Sequence, residues 1–217
     1  SVGGTTVMNG AVVHRLPKAV YDRWATDADL AKAIPFASLE THWDIIEKDL
    51  QVKAPLEPLL ESLPIHSLLN QLGWAHHAMK RNVLECKGSG RCLQGCPTGA
   101  KLSLENSYIP KFLDDGGRLV VRHRAERVIF RNYTALEVVA LSPEKETVRF
   151  SARKAIVIAA GAVQSPVLLW KSGIENPEIG KHFQCHLSVV SVALLPRPVR
   201  EIEGPPQGIE VTRFESE

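Results

Sequence analysis

Between residues 16 and 79 apolar positions recur at helical intervals, and prolines at 17, 35, 55, 58 and 64 cut the pattern. It therefore predicts a series of short helices rather than one long one. Thr26 with Asp29 three residues on has the form of a capping box, Ser38 can cap a helix over residues 39–50, and Pro55 suits the first turn of a helix reaching toward Leu69. Residues 87–99 have neither a period of 2 nor one of 3.6 and read as a loop rich in Gly and Cys. Residues 102–115 read as a helix with Pro110 inside it, stopping at Gly116-Gly117.

The pattern then changes to short β-branched runs separated by polar turns, at 118–123, 127–132, 136–142 and 147–151, the last three forming an antiparallel meander. Residues 154–161, Lys-Ala-Ile-Val-Ile-Ala-Ala-Gly, form the continuous apolar run expected of a parallel strand buried on both faces. Ser165 as N-cap, Pro166 at the first position and Gly173 past the last turn predict a short helix after it. Such a strand feeding a helix is the arrangement on the nucleotide side of an open α/β sheet. A further strand pattern covers 187–195, and residues 196–208 carry four prolines and little periodicity.

Composition narrows the class. Lys+Arg 26 against Asp+Glu 24 leaves a net charge of +2, too small and too scattered for an electrostatic footprint on nucleic acid. No apolar run approaches the roughly 20 residues that cross a bilayer as a helix. The first residues lack the basic flank and apolar block of a signal peptide, so the sequence carries no address. The chain opens without a methionine, inside a glycine-rich stretch, and is expected to be a piece of something longer.

That opening stretch, Ser1-Val-Gly-Gly-Thr-Thr-Val-Met-Asn-Gly10, sets Gly3 and Gly4 beside Thr5, Thr6, Asn9 and Gly10. Glycines let backbone N–H groups come close to a ligand, and Thr and Asn side chains hydrogen-bond phosphate, ribose or a heteroaromatic ring. The same pattern is also an ordinary loop. Residues 161–174, Gly-Ala-Val-Gln-Ser-Pro-Val-Leu-Leu-Trp-Lys-Ser-Gly-Ile, resemble the second signature of the glucose-methanol-choline (GMC) family of flavin oxidoreductases, with Glu175 where a glycine is usual. The opening stretch is similar to that family's flavin segment. Gly99-Ala-Lys101 with Tyr108-Ile-Pro110 resembles its middle region, and residues 180–186 resemble its Gly-x-x-Leu-x-x-His stretch, with Phe183 in the Leu position.

The resemblance implies an α/β fold. Residues 1–186 would be a partial FAD-binding, Rossmann-like domain with a helical insert (16–79), a cysteine loop (86–101) and a small antiparallel meander (118–151). Residues 187–217 would start an antiparallel substrate-binding domain. The activity implied is FAD-dependent oxidation of an alcohol or sugar hydroxyl, with oxygen, a quinone or a cytochrome as electron acceptor. Gly3, Gly4, Thr5, Thr6, Asn9 and Gly10 would line flavin and diphosphate, Val128 would meet the adenine through its backbone, and Ala160 and Gly161 would run under the dinucleotide. His186 would be a structural histidine near the domain junction. The family's Gly-x-Gly-x-x-Gly is expected upstream of Ser1 and its catalytic histidine downstream of Glu217, so no catalytic base is assigned, and the isolated piece would be inactive.

Cys86, Cys92 and Cys96 stand in a C-x5-C-x3-C spacing with Pro97 after the last. Three soft thiolates on one loop suit a [3Fe-4S] cluster, zinc with His76 or His77, or no metal at all, the thiols packing as small hydrophobes. The spacing resembles that of iron–sulfur-bearing sugar dehydrogenase subunits of the same family, which pass electrons to a cytochrome. The rival reading is a non-enzymatic iron–sulfur or zinc electron-transfer module. His76 and His77, read on a helix end, diverge by about 100° and cannot both face one metal. Cys185 reads as a buried thiol, Trp24, Trp43, Trp74 and Trp170 as packing residues, and Arg118, Arg122, Arg124, Arg127 and Arg131 as a solvated strand face.

Overall fold

The computed structural model describes residues 2–26, 28–54, 64–185, 187–192, 194 and 207–213. The chain divides into two compact units, Ser1–Arg118 with Leu195–Glu217, and Leu119–Leu194. Both mix helix with sheet, and every strand pairing among the described residues is antiparallel.

In the first unit the prolines do what the pattern predicts. Pro17 and Pro35, extended at φ −61, immediately precede helices α1 (Lys18–Trp24) and α3 (Phe36–Asp49), with α2 (Ala28–Ala33) between them. Pro35 rather than Ser38 is therefore the N-cap of α3, and Thr26 Oγ1 donates back to Arg23 O at 2.9 Å. Tyr21 is buried, donates to Ile34 O at 2.9 Å and packs on Phe36, which meets Trp43 edge-on. Arg15 crosses to α3 and grips Glu47 with two 2.7 Å bonds and Asp44 with a third. The helix start expected at Pro55 lies outside the described residues; α4 (Pro64–Leu72) follows them, and Leu69 is buried.

His76 and His77 are not on a helix end. They belong to strand β2 (His76–Ala78), which pairs with β7 (Ile209–Val211), because Gly73 at φ +64 has already ended α4. Strand β3 (Arg81–Asn82) pairs with β1 (Val52–Lys53). It is also bracketed by two stretches of irregular backbone. Val13 N–H donates to Lys80 O and Asn82 N–H to Ala11 O, while Leu84 N–H donates to Ala100 O and Leu102 N–H to Asn82 O. The helix expected over 102–115 forms only as a single 3₁₀ turn, Leu104–Asn106, followed by α5 (Tyr108–Asp114). Pro110 falls in the first turn of α5, where its missing N–H costs nothing.

The second unit is the expected meander, β4 (Arg124–Arg131), β5 (Thr134–Leu141) and β6 (Thr147–Ser151), in the order β4-β5-β6. Arg131 pairs with Thr134 across Asn132-Tyr133, both at positive φ, the two-residue turn whose twist matches paired strands. Val128, Val139 and Ala140 are buried at its centre. Helix α6 (Gly161–Lys171) begins one turn before Ser165-Pro166, so Ser165 does not cap it conventionally: its Oγ accepts the N–H of Ala160, and Pro166 lies inside the helix. Its end is as the glycine predicts, with Gly173 at φ +78 and Ile174 N–H reaching back to Leu169 O.

Three expected strands are absent among the described residues. Residues 118–123, 154–160 and the described part of 187–195 are not strands, and Val157, Val189 and Leu194 are 85%, 95% and 98% exposed. A strand exists only with a neighbour to accept its ladder, and among the described residues none of these three segments has a paired strand. Trp24 and Trp170 are likewise exposed rather than packed, as is Cys185, while the five arginines of 118–131 are solvent-facing as expected.

Val139→Ala removes two buried methyls from the meander and lowers its opening free energy by about 2 kcal/mol. This reads out as faster amide exchange across 124–151, while Tyr133→Ala, at a fully exposed turn residue, leaves exchange unchanged. Equal effects of the two would contradict the assigned core.

Candidate cofactor site

The glycine-rich opening forms a 3₁₀ turn over Gly4–Val7 in the first unit. Gly3, at φ +88, tolerates no larger residue, since a Cβ there would stand 2.9 Å from Val7 Cγ2 and 3.3 Å from Glu105 N. Thr6 turns inward: its hydroxyl donates to Gly3 O and accepts Leu104 N–H at 3.1 Å. Asn9 Oδ1 accepts Ala11 N–H at 3.0 Å, which leaves its amide NH₂ for other partners. Gly4 and Thr5 are exposed, and the space where a Gly4 Cβ would stand is open. A Cβ on Gly10 would run into Gln207 Oε1. The six expected residues thus share one turn, with Gly4, Thr5 and the Asn9 amide presented outward and Gly3 and Thr6 shaping it.

Two residues without any expected role hold this turn in place. Arg81 and Lys101 are each 1% exposed. Lys101 Nζ donates to Val7 O, to Asn9 O at 3.0 Å and to Cys92 O at 2.8 Å. Arg81 donates to Gly10 O, to Gln207 O at 2.6 Å and to Cys92 Sγ at 3.2 Å, while its Nε has no partner. Neither forms an ion pair with a carboxylate among the described residues. Burial pushes both below their ordinary basic range, and the nearby thiols act in the opposite sense.

The cysteine loop packs against the same turn, but its sulfurs do not converge. Cys86 is exposed and its Sγ accepts Gly88 N–H; Cys92 is buried against Arg81; Cys96 Sγ meets Thr98 Oγ1 at 3.5 Å and accepts Lys101 N–H at 3.4 Å. Among the described residues no group of three or more His, Cys, Asp and Glu side chains could hold a metal ion. His77 bonds to Glu210 at 3.2 Å and His76 Nδ1–H donates to Trp74 O at 2.7 Å, so neither histidine completes a thiolate set. The [3Fe-4S] and zinc expectations fail on this point. C-x5-C-x3-C spacing permits convergence only if the loop curls around a centre, and here Cys92 turns inward to Arg81 while Cys86 turns out.

In the second unit Val128 and Ala160 line one shallow apolar groove, together with Ile156, Ile158 and Leu168. Val128 N–H already donates to Ser172 Oγ at 2.8 Å, and Ser172 Oγ in turn donates to Leu168 O. A ligand reading the Val128 backbone therefore meets it without that N–H. Gly161, at φ +85 with open space at its Cβ position, starts α6 immediately beyond the groove. His186 lies outside the described residues.

Burial alone would push the Cys96 thiol up, but the bonds from Thr98 and from the N–H groups of Lys101, Thr98 and Ala100 outweigh it and hold the thiol below its ordinary value. Its thiolate fraction consequently persists to lower pH than that of an unperturbed thiol. Alkylation followed by peptide mapping should show Cys96 reacting at lower pH than a free cysteine thiol, and Thr98→Val moving its pH profile upward. An unshifted profile would contradict the bonding at Sγ. Anaerobically purified protein should contain no acid-labile sulfide.

Comparison with known proteins places these features in a family. A family model described as GMC oxidoreductase matches residues 1–188. An uncharacterised GMC-type oxidoreductase of Mycobacterium tuberculosis (strain H37Rv) is 32% identical over 99% of this chain, which corresponds to 34% of that protein. Another, y4nJ of Sinorhizobium fredii, is 30% identical over 91% of this chain and 40% of its own length. The long-chain-alcohol oxidase FAO1 of Arabidopsis thaliana is 23% identical over 94% of this chain and 29% of its own length. The chain thus spans between 29% and 40% of the length of these relatives. With a family match across 188 of its residues, the chain belongs to the GMC oxidoreductases.

Proposed function

We propose that this chain is the central part of an FAD-dependent oxidoreductase acting on alcohols. The observation that carries the reading is the left-handed Gly3-Gly4 turn, with its exposed Gly4 and Thr5, inside a segment matched by the GMC oxidoreductase family. The turn fits a dinucleotide. A side chain at Gly4 would fill space that is open, while Thr5 offers a hydroxyl and Asn9 an amide NH₂. When bound, FAD would supply the acceptor for the hydride of the substrate's carbinol carbon.

This chain's own residues would then bind and orient. Gly4, Thr5, Asn9 and Gly10 would hold the flavin and diphosphate, and Gly3 and Thr6 would keep the turn in shape. In the second unit Val128, Ala160 and Gly161 offer an apolar, small-residue surface suited to a flat ring and a close backbone approach. None of the described histidines is assigned as proton acceptor. Substrates to test first are long-chain alcohols, because several relatives are named for oxidising them; sugar alcohols are the comparison.

The full-length protein should purify yellow and release FAD on denaturation. Anaerobic addition of a long-chain alcohol should bleach the flavin, with a sugar less effective. A colourless protein that takes up no FAD would overturn the reading, and a flavoprotein bleached only by sugars would overturn the substrate class.

A further inference from the structure

Two cations buried together without a carboxylate partner call for an explanation, since each loses several kcal/mol of hydration that carbonyl groups replace only in part. Lys101 is an ammonium on geometry alone: three acceptors, Val7 O, Asn9 O and Cys92 O, take three protons, and a neutral amine has only two. Arg81 is a guanidinium under any ordinary condition and keeps one N–H without a partner. Glu105 is the carboxylate whose charge bears on Lys101, and it belongs to a half-buried side chain bonded to Ser103. Positive charge is left in excess directly behind residues 7–10.

The direction of that charge follows from the peptide planes. In a trans peptide C=O and N–H point opposite ways. With the carbonyls of Val7, Asn9 and Gly10 drawn in to the two cations, the N–H groups of Met8, Gly10 and Ala11 point away from them. Met8 N–H is taken by Thr5 O and Ala11 N–H by Asn9 Oδ1, while Gly10 N–H has no partner among the described residues. Cys92 joins the two cations, its carbonyl on Lys101 and its sulfur on Arg81, and its neighbours Leu93 and Gly95 lie against Gly10 and Val7.

We propose that Arg81 and Lys101 are positioning residues for the anionic dinucleotide. They hold the carbonyl edge of residues 7–10 inward, so that the Gly10 N–H and their own excess charge serve the diphosphate of FAD, and Cys92 is the link between them rather than a metal ligand. The proposal rests on the FAD-binding reading above.

The test uses the full-length protein, stripped of flavin and titrated with FAD by fluorescence quenching, in matched pairs that remove or keep the charge: Lys101→Met with Lys101→Arg, and Arg81→Gln with Arg81→Lys. Removing the charge should weaken FAD binding at least tenfold, with the charge-keeping partner restoring most of the affinity and the far-ultraviolet circular dichroism of the apoprotein unchanged. FAD affinity within twofold of wild type in a folded Lys101→Met or Arg81→Gln protein would overturn the proposal, as would equal losses in both members of a pair. If the charge-removing members fail to fold while their partners fold, the cations serve the fold alone, and that too overturns it. A wild-type protein that takes up no FAD would instead sink the functional reading on which the proposal stands.

Discussion

The first unit is organised around positive charge rather than around an apolar centre. Arg81 and Lys101 draw the carbonyls of Val7, Asn9, Gly10, Cys92 and Gln207 onto two points and so bring into register segments that are far apart in sequence. The neighbouring ladder, with Asn82 between Ala11 and Leu102, lies within the same knot. Ala11, Asn82, Ala100 and Ser103 are buried there, and large apolar side chains are few. A polar centre of this kind is stable only while each member is satisfied, because low local dielectric strengthens every made bond and penalises every missing one. Shape in this region is consequently set by directional bonds, and the glycine turn inherits its precision from them.

The second unit obeys the opposite rule. Its meander is built on Val128, Val139 and Ala140, and α6 is attached to it by one directed contact, Ser172 to Val128. The apolar run at 154–160 and the described residues 187–192 and 194 form neither helix nor strand. Their high exposure is what β-branched sequence looks like when the pairing it is suited to is not supplied by the described residues.

These contrasts explain what could be read in advance. The meander was legible because β-branched positions alternate between turns that advertise themselves, Asn132-Tyr133 and the Ser142–Glu146 reversal. The end of α6 was legible because Gly173 meets a local steric demand. Its beginning was not, since Ser165-Pro166 is a strong local start signal that lost to Gly161 one turn earlier. The strand pattern at 154–160 was a statement about propensity, and propensity does not provide a neighbour. The glycine turn was legible from Gly3 through Gly10, but its supports were not: an arginine beside Lys80 and a lysine after Gly99-Ala100 look like surface charge, and only the folded path shows both inside. The cysteine spacing misled for the same reason, since ligand convergence belongs to the loop's course and not to the interval between its cysteines.

The charge of Arg81 and Lys101 is proposed to be balanced by a bound dinucleotide. A crystal structure of the full-length protein with FAD tests it most directly. The account predicts the diphosphate on the amide side of residues 3–10, with Lys101 Nζ still bonded to Val7, Asn9 and Cys92 and no carboxylate on either cation. An Asp or Glu from elsewhere in the protein paired with Arg81 or Lys101, or a dinucleotide seated away from this turn, would contradict it.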